Sequence, residues 1–188
     1  MRGVWRGDRQ GRMRIDVYAG GHRVYTEAFD GKRGWQMDAK GVVTPSAQAA
    51  AAALWHGTQY PDRLLGLHEM EGLGHSLQME GRETLDGIDY YVLKLTLSDG
   101  FVSFRYVNSR NWLIDRGRDV RAIHPDLDAR KKWLENLWSD WRPVAGVLRN
   151  FHEDQVDVPT GRVLQTTDVT RIDVNSAFPA GLFSELSQ

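Results

Sequence analysis

Apolar and polar positions alternate along most of this chain, and a period of two marks half-buried strands. From Arg12 to Tyr18, Met13, Ile15 and Val17 face one way, and Arg12, Arg14, Asp16 and Tyr18 face the other. Gly20-Gly21 supplies a hairpin turn into a return strand, His22 to Phe29, because glycine reaches positive φ without steric cost. Asp30-Gly31 turns the chain again into Arg33 to Asp38, and a further turn leads to Val42-Val43. Then the character changes. Pro45-Ser46-Ala47-Gln48 opens an alanine run that continues to Leu54-Trp55 and predicts a helix ending near Gly57. A second short helical stretch is predicted after Pro61, with Leu64, Leu65, Leu67 and Met70 as its apolar positions.

Alternation resumes near His75. Leu77 and Met79 alternate with Gln78 and Glu80, and Asp86-Gly87 is a hairpin signal. In the next strand Tyr91, Leu93, Leu95 and Leu97 share one face. Ser98-Asp99-Gly100 turns into Phe101 to Val107, where Val102, Phe104 and Tyr106 fall on one side. Trp112 to Ile123, Val147 to Val158 and Gly161 to Val174 are further extended segments. Turn signals every ~8–12 residues between alternating runs predict an antiparallel sheet or partial barrel. One stretch is ambiguous. Trp133, Leu134, Leu137, Trp138 and Trp141 have helical spacing, although a strand would also place Trp133, Leu137 and Trp141 together. Periodicity alone prefers a helix there.

With 188 residues the chain has the length of one domain. It has no cysteine, which excludes disulfides, thiolate metal sites and thiol catalysis within it. The 24 basic and 25 acidic residues nearly cancel, so the basic footprint of a nucleic-acid binder is missing. No run reaches the ~18–20 apolar residues of a membrane span. The first residues lack the ~7–15-residue apolar core of a signal peptide, so with Met1 as the start the chain reads as cytoplasmic. Seven tryptophans imply a large aromatic core, or aromatics that line a cavity or an interface.

Catalytic constellations are sparse. There is no His-Glu-x-x-His, no P-loop and no Gly-x-Ser-x-Gly elbow, and the six histidines lie on different elements. Alternation places His152 and Asp154 on one strand face, which makes them the best acid–base candidates, against the simpler reading of a solvated face. Arg130-Lys131-Lys132 beside Trp133 is a weak candidate for phosphate or anionic lipid. No catalytic set, metal site or cofactor site is expected. Shape remains: a sheet curled around an apolar space, with helices as cover or lid.

The order of the motifs resembles the LolA/LolB-like superfamily of outer-membrane lipoprotein-sorting proteins. Tyr25 to Trp35, with Asp30-Gly31 and Trp35, is similar to its DG…W hairpin. Gly81-Arg82-Glu83 through Gly87, Tyr91, Leu93 and Leu95 is similar to its G-x-E…G…Y-x-L-x-L strand pair. Gly100 to Arg116 resembles the next hairpin, with Asn108 where Asp is usual. Ser139-Asp140-Trp141-Arg142-Pro143-Val144-Ala145-Gly146-Val147 resembles the S-D-Y-R-x-V-x-G-V element, with Trp141 at the Tyr position. Ile172 to Asn175 followed by Phe178 resembles the terminal I-x-x-N…F signature.

The resemblance covers about Arg12 to Phe183. It implies one LolA-like domain over residues 1–188, mainly β (α+β): a strongly curved, open antiparallel sheet, or half-barrel, with short helices covering its concave face. It also assigns the Trp133–Trp141 stretch to a strand. The family usually begins with a signal peptide and a helix, neither of which this chain shows. An upstream exported segment and a periplasmic protein are therefore expected, and a first edge left uncovered at Arg12, with Trp5 in a truncated first strand.

The implied function is a non-enzymatic cell-envelope binding protein that holds a lipid or lipoprotein acyl chain in an apolar groove. An envelope protein or membrane surface is its transient partner, and nucleic acid is not. Alternation nominates Trp35, Trp55, Leu93, Leu95, Phe104 and Tyr106 as groove lining. The alternative is the same fold used as a sensor or interaction module, its groove filled by its own side chains.

Overall fold

The computed structural model describes residues 1–61 and 64–184. Its strands in order are β1 (Arg2–Gly7), β2 (Met13–Ala19), β3 (His22–Phe29), β4 (Gly34–Met37), β5 (Val43–Pro45), β6 (Ser76–Leu85), β7 (Ile88–Thr96), β8 (Val102–Asn108), β9 (Ile114–Arg121), β10 (Lys132–Val144), β11 (Val147–Asp157) and β12 (Arg162–Asp168). The helix α1 (Gln48–Gln59) lies between β5 and β6, followed by single 3-10 turns at Leu67–Glu69 and Glu71–Leu73. The fold is mainly β and antiparallel, as the alternation predicts. The hydrogen-bonded ladder falls into two sheets, β1 to β5 and β6 to β12, each in sequence order. The chain divides into two compact units, one of residues 1–65, 123–129 and 177–188, the other of residues 66–122 and 130–176.

The first unit holds the five-stranded sheet and α1. β1 pairs with β2 along its whole length, Trp5 opposite Ile15, so the strand starting near Arg12 is not the edge that the sequence reading expected. Ala28, Trp35 and Met37 form its core with Val43 packed against them. The indole Nε1 of Trp35 donates to the Phe183 carbonyl at 2.9 Å, which ties Phe183 into this core. Asp16, almost fully buried, accepts from Arg6 Nη1 at 2.7 Å, Arg14 Nη2 at 2.9 Å and Thr26 Oγ1 at 2.7 Å. Burial alone would raise its pKa. The hydrogen bonds from Arg14 and Thr26, with the charges of Arg14 and Arg6, outweigh that and hold the carboxyl below its ordinary value.

Helix α1 runs past Gly57 to Gln59, two residues beyond the predicted end. Its N-cap residue, Ala47, has no side chain to cap with. Asp126 takes that role in part by accepting from the Ala47 N–H at 3.1 Å. The helix packs on β3 and β4. Of the second predicted helical stretch, Leu67 to Leu73 forms only the two 3-10 turns, and Asp62 and Arg63 lie outside the described residues.

The second unit is the seven-stranded sheet. Asp86 and Gly87 both take positive φ, 51° and 74°. They make a two-residue turn that sets Leu85 opposite Ile88. Register shifts at Met79/Gly81, Tyr106/Val107 and Gln155/Val156 interrupt the ladder and bend the strands. The ambiguous stretch is the strand β10, as the resemblance implied and periodicity did not. Leu134 and Trp138 bury on one face while Glu135 buries on the other. Trp133, Leu137 and Trp141 lie on that second face, and apolar residues on both faces of a strand mimic helical spacing.

Candidate functional site: two faces of the seven-stranded sheet

Cross-strand pairing settles which side chains share a face. Leu93 pairs with Met79 and Arg105, and Leu95 pairs with Leu77 and Ser103. Phe104 pairs with Lys94 and Arg118, and Tyr106 with Val92 and Arg116. Leu93 and Leu95 therefore lie on one face, and Phe104 and Tyr106 on the other. Trp35 and Trp55 belong to the first unit, where Trp35 is enclosed in the core and Trp55 is half-buried on α1. The six nominated residues are thus spread over three environments.

The Tyr106 face is closed by its own side chains. Tyr90, Val92 and Tyr106 form a buried cluster, with Leu85, Ile88 and Phe104 packed against it. The Tyr90 and Tyr106 rings meet edge to face at 5.9 Å. The guanidinium of Arg116 lies 5.6 Å from the Tyr90 ring centre, and that of Arg118 lies 5.0 Å from Tyr106. Glu135 joins the two arginines, accepting from Arg116 Nη1 at 3.2 Å and from Arg118 Nε at 2.6 Å. The β6–β7 hairpin adds one carboxylate to each: Asp86 to Arg116 at 2.6 Å and Glu83 to Arg118 at 3.3 Å. Burial pushes the Tyr106 phenol above its ordinary pKa, against the pull of Arg118.

Beside this lattice lies an open cleft of about 320 Å3 lined by Tyr90, Asp115, Arg116, Leu137, Trp138, Ser139, His152 and Asp154. His152 and Asp154 do share a face, as alternation predicted. His152 Nε2 is 3.3 Å from Asp154, and Nδ1 is 2.7 Å from Asp168. The Asp168 hydrogen bond, then that to Asp154, raises the imidazole pKa. Both ring nitrogens are thus engaged by carboxylates. The ring has no acceptor nitrogen turned to Ser139, its cross-strand neighbour, so the arrangement does not build a serine nucleophile. Neither this cleft nor a second, of about 250 Å3 beside Arg12, Asp30 and Phe178 to Ser184, is lined by any of the six nominated residues.

The Leu95 face differs. Leu95, Leu134 and Trp138 are buried, but toward β6 the face opens: Leu77, Leu93 and Tyr91 are partly exposed and Met79 is 57% exposed. Trp112, at φ 62° in the β8–β9 turn, stacks on Tyr91 with centroids 5.5 Å apart and planes 9° from parallel. Arg82 covers the same ring at 4.6 Å and its Nη2 donates to the Tyr91 hydroxyl at 3.1 Å. The result is an apolar strip along β6 and β7 that ends at an aromatic pair. Alternation showed that Tyr91 shares a face with Leu93. It did not show Met79 opposite Leu93, because that pairing depends on the Met79/Gly81 irregularity.

No protein-family model matches the chain, and no curated protein matches it in sequence. Solved structures do match. A LolA superfamily protein from Nitrosomonas europaea is similar over 94% of this chain and 77% of its own, with a TM-score of 0.54 and 15% identity. A DUF1329 family protein from Desulfovibrio piger ATCC 29098 is similar over 88% of this chain and 72% of its own, with a TM-score of 0.56 and 16% identity. At such identities the likeness is one of fold, and at that level the resemblance read from the motif series is present.

Proposed function

We propose that this protein is a non-enzymatic binding protein of the cell envelope, which holds a lipid or lipoprotein acyl chain against the open part of its Leu95 face. The observation that carries the reading is the strip of Leu77, Met79, Leu93 and Tyr91, apolar and partly open in a chain whose fold is that of a LolA superfamily protein. In this reading Leu93 lines the strip, and Leu95, fully buried on the same face, supports it. Phe104 and Tyr106 support the opposite face.

Native mass spectrometry and lipid extraction of the purified chain test this directly. Bound lipid, or micromolar binding of a fluorescent fatty acid, is the expected result. Met79→Asp combined with Leu93→Asp should weaken that binding at least ~10-fold, because each carboxylate would have to be buried against the acyl chain. A chain that carries no lipid and binds no fatty acid at micromolar concentration defeats the proposal. The same fold would then serve as an interaction module, a reading favoured by the way the Tyr106 face is filled by its own side chains.

A further inference from the structure

The β10–β11 hairpin outruns its neighbours. The last β9 partner of β10 is Arg116, opposite Leu137, and the last β12 partner of β11 is Asp168, opposite His152. The Phe151 carbonyl still accepts from the Val169 N–H at 2.7 Å; from Trp141 opposite Asn150 up to Val144 opposite Val147 the ladder pairs the two strands with each other. Four residues of ribbon on each strand extend about 13 Å at the usual strand rise. Ala145 and Gly146 form the turn, both at positive φ, 48° and 83°.

The composition of this tip is unusual for a solvated ribbon. Pro143, Val144, Ala145, Gly146, Val147 and Leu148 follow one another with no polar side chain. Val147 is 52% exposed and Leu148 46% exposed. Val144 pairs with Val147 on one face of the ribbon, and Pro143 with Leu148 on the other. Docking on a partner protein requires one apolar face. Apolar side chains on both faces fit a medium that surrounds the tip. The next rung down is Arg142 opposite Arg149, two cations side by side, although Arg142 also binds Asp140 at 2.5 Å. Below them comes Trp141 opposite Asn150. From the arginine rung to the turn is three residues, about 10 Å, which is the depth to which interfacial segments bury their apolar face. Cations at phosphate level with a tryptophan beside them complete the pattern of an interfacial anchor.

We infer that the 143–148 hairpin tip inserts into the interfacial layer of an anionic lipid bilayer, with Arg142 and Arg149 at the phosphates. This surface is separate from the acyl strip and stands or falls independently of it. Because the chain has no cysteine, Val147→Cys gives a single attachment point for an environment-sensitive fluorophore. Vesicles of phosphatidylcholine and phosphatidylglycerol should shift its emission to the blue, and lipids that carry a quencher should quench it. A label at Thr160→Cys, in the turn at the other end of β11, should do neither. In vesicle flotation of the full chain, Val147→Asp with Leu148→Asp should cut partitioning at least ~10-fold. Arg142→Gln and Arg149→Gln should each cost roughly 5-fold on anionic vesicles and little on neutral ones. Unchanged flotation of the Asp variant overturns the inference. So does flotation with the Val147 label unshifted, and so does absence of binding to anionic vesicles. A concentration-dependent dimer that the same Asp pair dissolves, with no vesicle binding, would assign the tip to self-association instead. Fatty-acid binding measured alongside keeps a failure here distinct from failure of the acyl strip.

Discussion

Replacing Glu135 with Leu should destabilise the protein by about 2–4 kcal/mol. Glu135 is 8% exposed and is the carboxylate shared by Arg116 and Arg118, whose side chains are themselves only 11% and 15% exposed. A hydrogen bond to a charged group contributes about 1.5–3 kcal/mol, so two set an upper range near 3–6 kcal/mol. Breaking a buried pair from one side typically costs about 3–5 kcal/mol, because a charge is left behind. The discount comes from what the arginines retain. Each keeps a hairpin carboxylate, but the Asp86 side chain is 78% exposed, and such a partner is worth roughly 0–1 kcal/mol. Each also keeps its tyrosine ring. Urea unfolding followed by tryptophan fluorescence reads the change, with Arg116→Met and Arg118→Met completing a cycle. Because a buried ion cluster is costly to desolvate, the triple variant should recover most of the loss. A loss below ~1 kcal/mol for Glu135→Leu, or a triple variant no better than the single, would refute the view that this lattice closes the Tyr106 face.

Other outcomes follow from single positions. Gly117→Ala should cost about 1–3 kcal/mol in the same assay, since its Cβ would sit 2.8 Å from the Trp138 ring and 2.5 Å from Arg105 Nη1. Asp16 has a depressed folded pKa, so its contribution is present above its unfolded value near 3.9 and is lost as pH falls through the folded value. Asp16→Asn should therefore flatten the acid limb of the stability–pH curve below pH 4. His152 has a raised pKa, so its stabilisation is complete below about 6.5 and is lost as pH rises through the folded value. An NMR titration should place its midpoint above 6.5, and Asp168→Asn should lower it. Replacing Trp35 with Ala should cost about 3–5 kcal/mol, the usual loss for a buried tryptophan.

The strands were legible because a two- or three-residue turn with glycine at positive φ separates most of them. Asp86-Gly87 is one such turn, and Ser98-Asp99-Gly100, with Gly100 at φ 89°, is another. The second also contains the register that the lining nomination missed. Leu97 N–H donates to the Phe101 carbonyl at 2.8 Å, so three residues close the loop and Leu95 faces Ser103, not Phe104. A slip of one residue moves a whole strand's side chains to the other face, and this register sets Phe104 and Tyr106 opposite to the face of Leu93 and Leu95. The Met79/Gly81 irregularity was not legible. Counting back from Leu85 opposite Ile88 puts Glu80 opposite Leu93, and only the inserted residue brings Met79 there. The β10 stretch misled for a different reason. Its apolar residues fall on both faces, Leu134 and Trp138 buried on one and Trp133 and Leu137 more open on the other, and a pattern read for one face interprets them as a helix.

The proposed acyl site would give the two faces different tasks, and the division can be measured. An antiparallel sheet that keeps part of one face open for a ligand loses the burial that face would have contributed. The stability must then come from elsewhere in the unit. Here the opposite face supplies it through the Tyr90–Val92–Tyr106 cluster, and the arginine–carboxylate lattice above it contributes geometry more than net stability. A lattice of this kind is directional, so it also fixes the β6–β7 hairpin, which carries Leu77, Met79 and Leu93. Substitutions on the two faces should therefore separate. Glu135→Leu should lower the unfolding midpoint while the remaining folded molecules bind fatty acid normally. Met79→Asp, on a side chain already more than half exposed, should leave the midpoint nearly unchanged and weaken binding. If both variants moved both readouts together, the open strip would be part of the protein's own core, and the proposed acyl site would have to lie elsewhere.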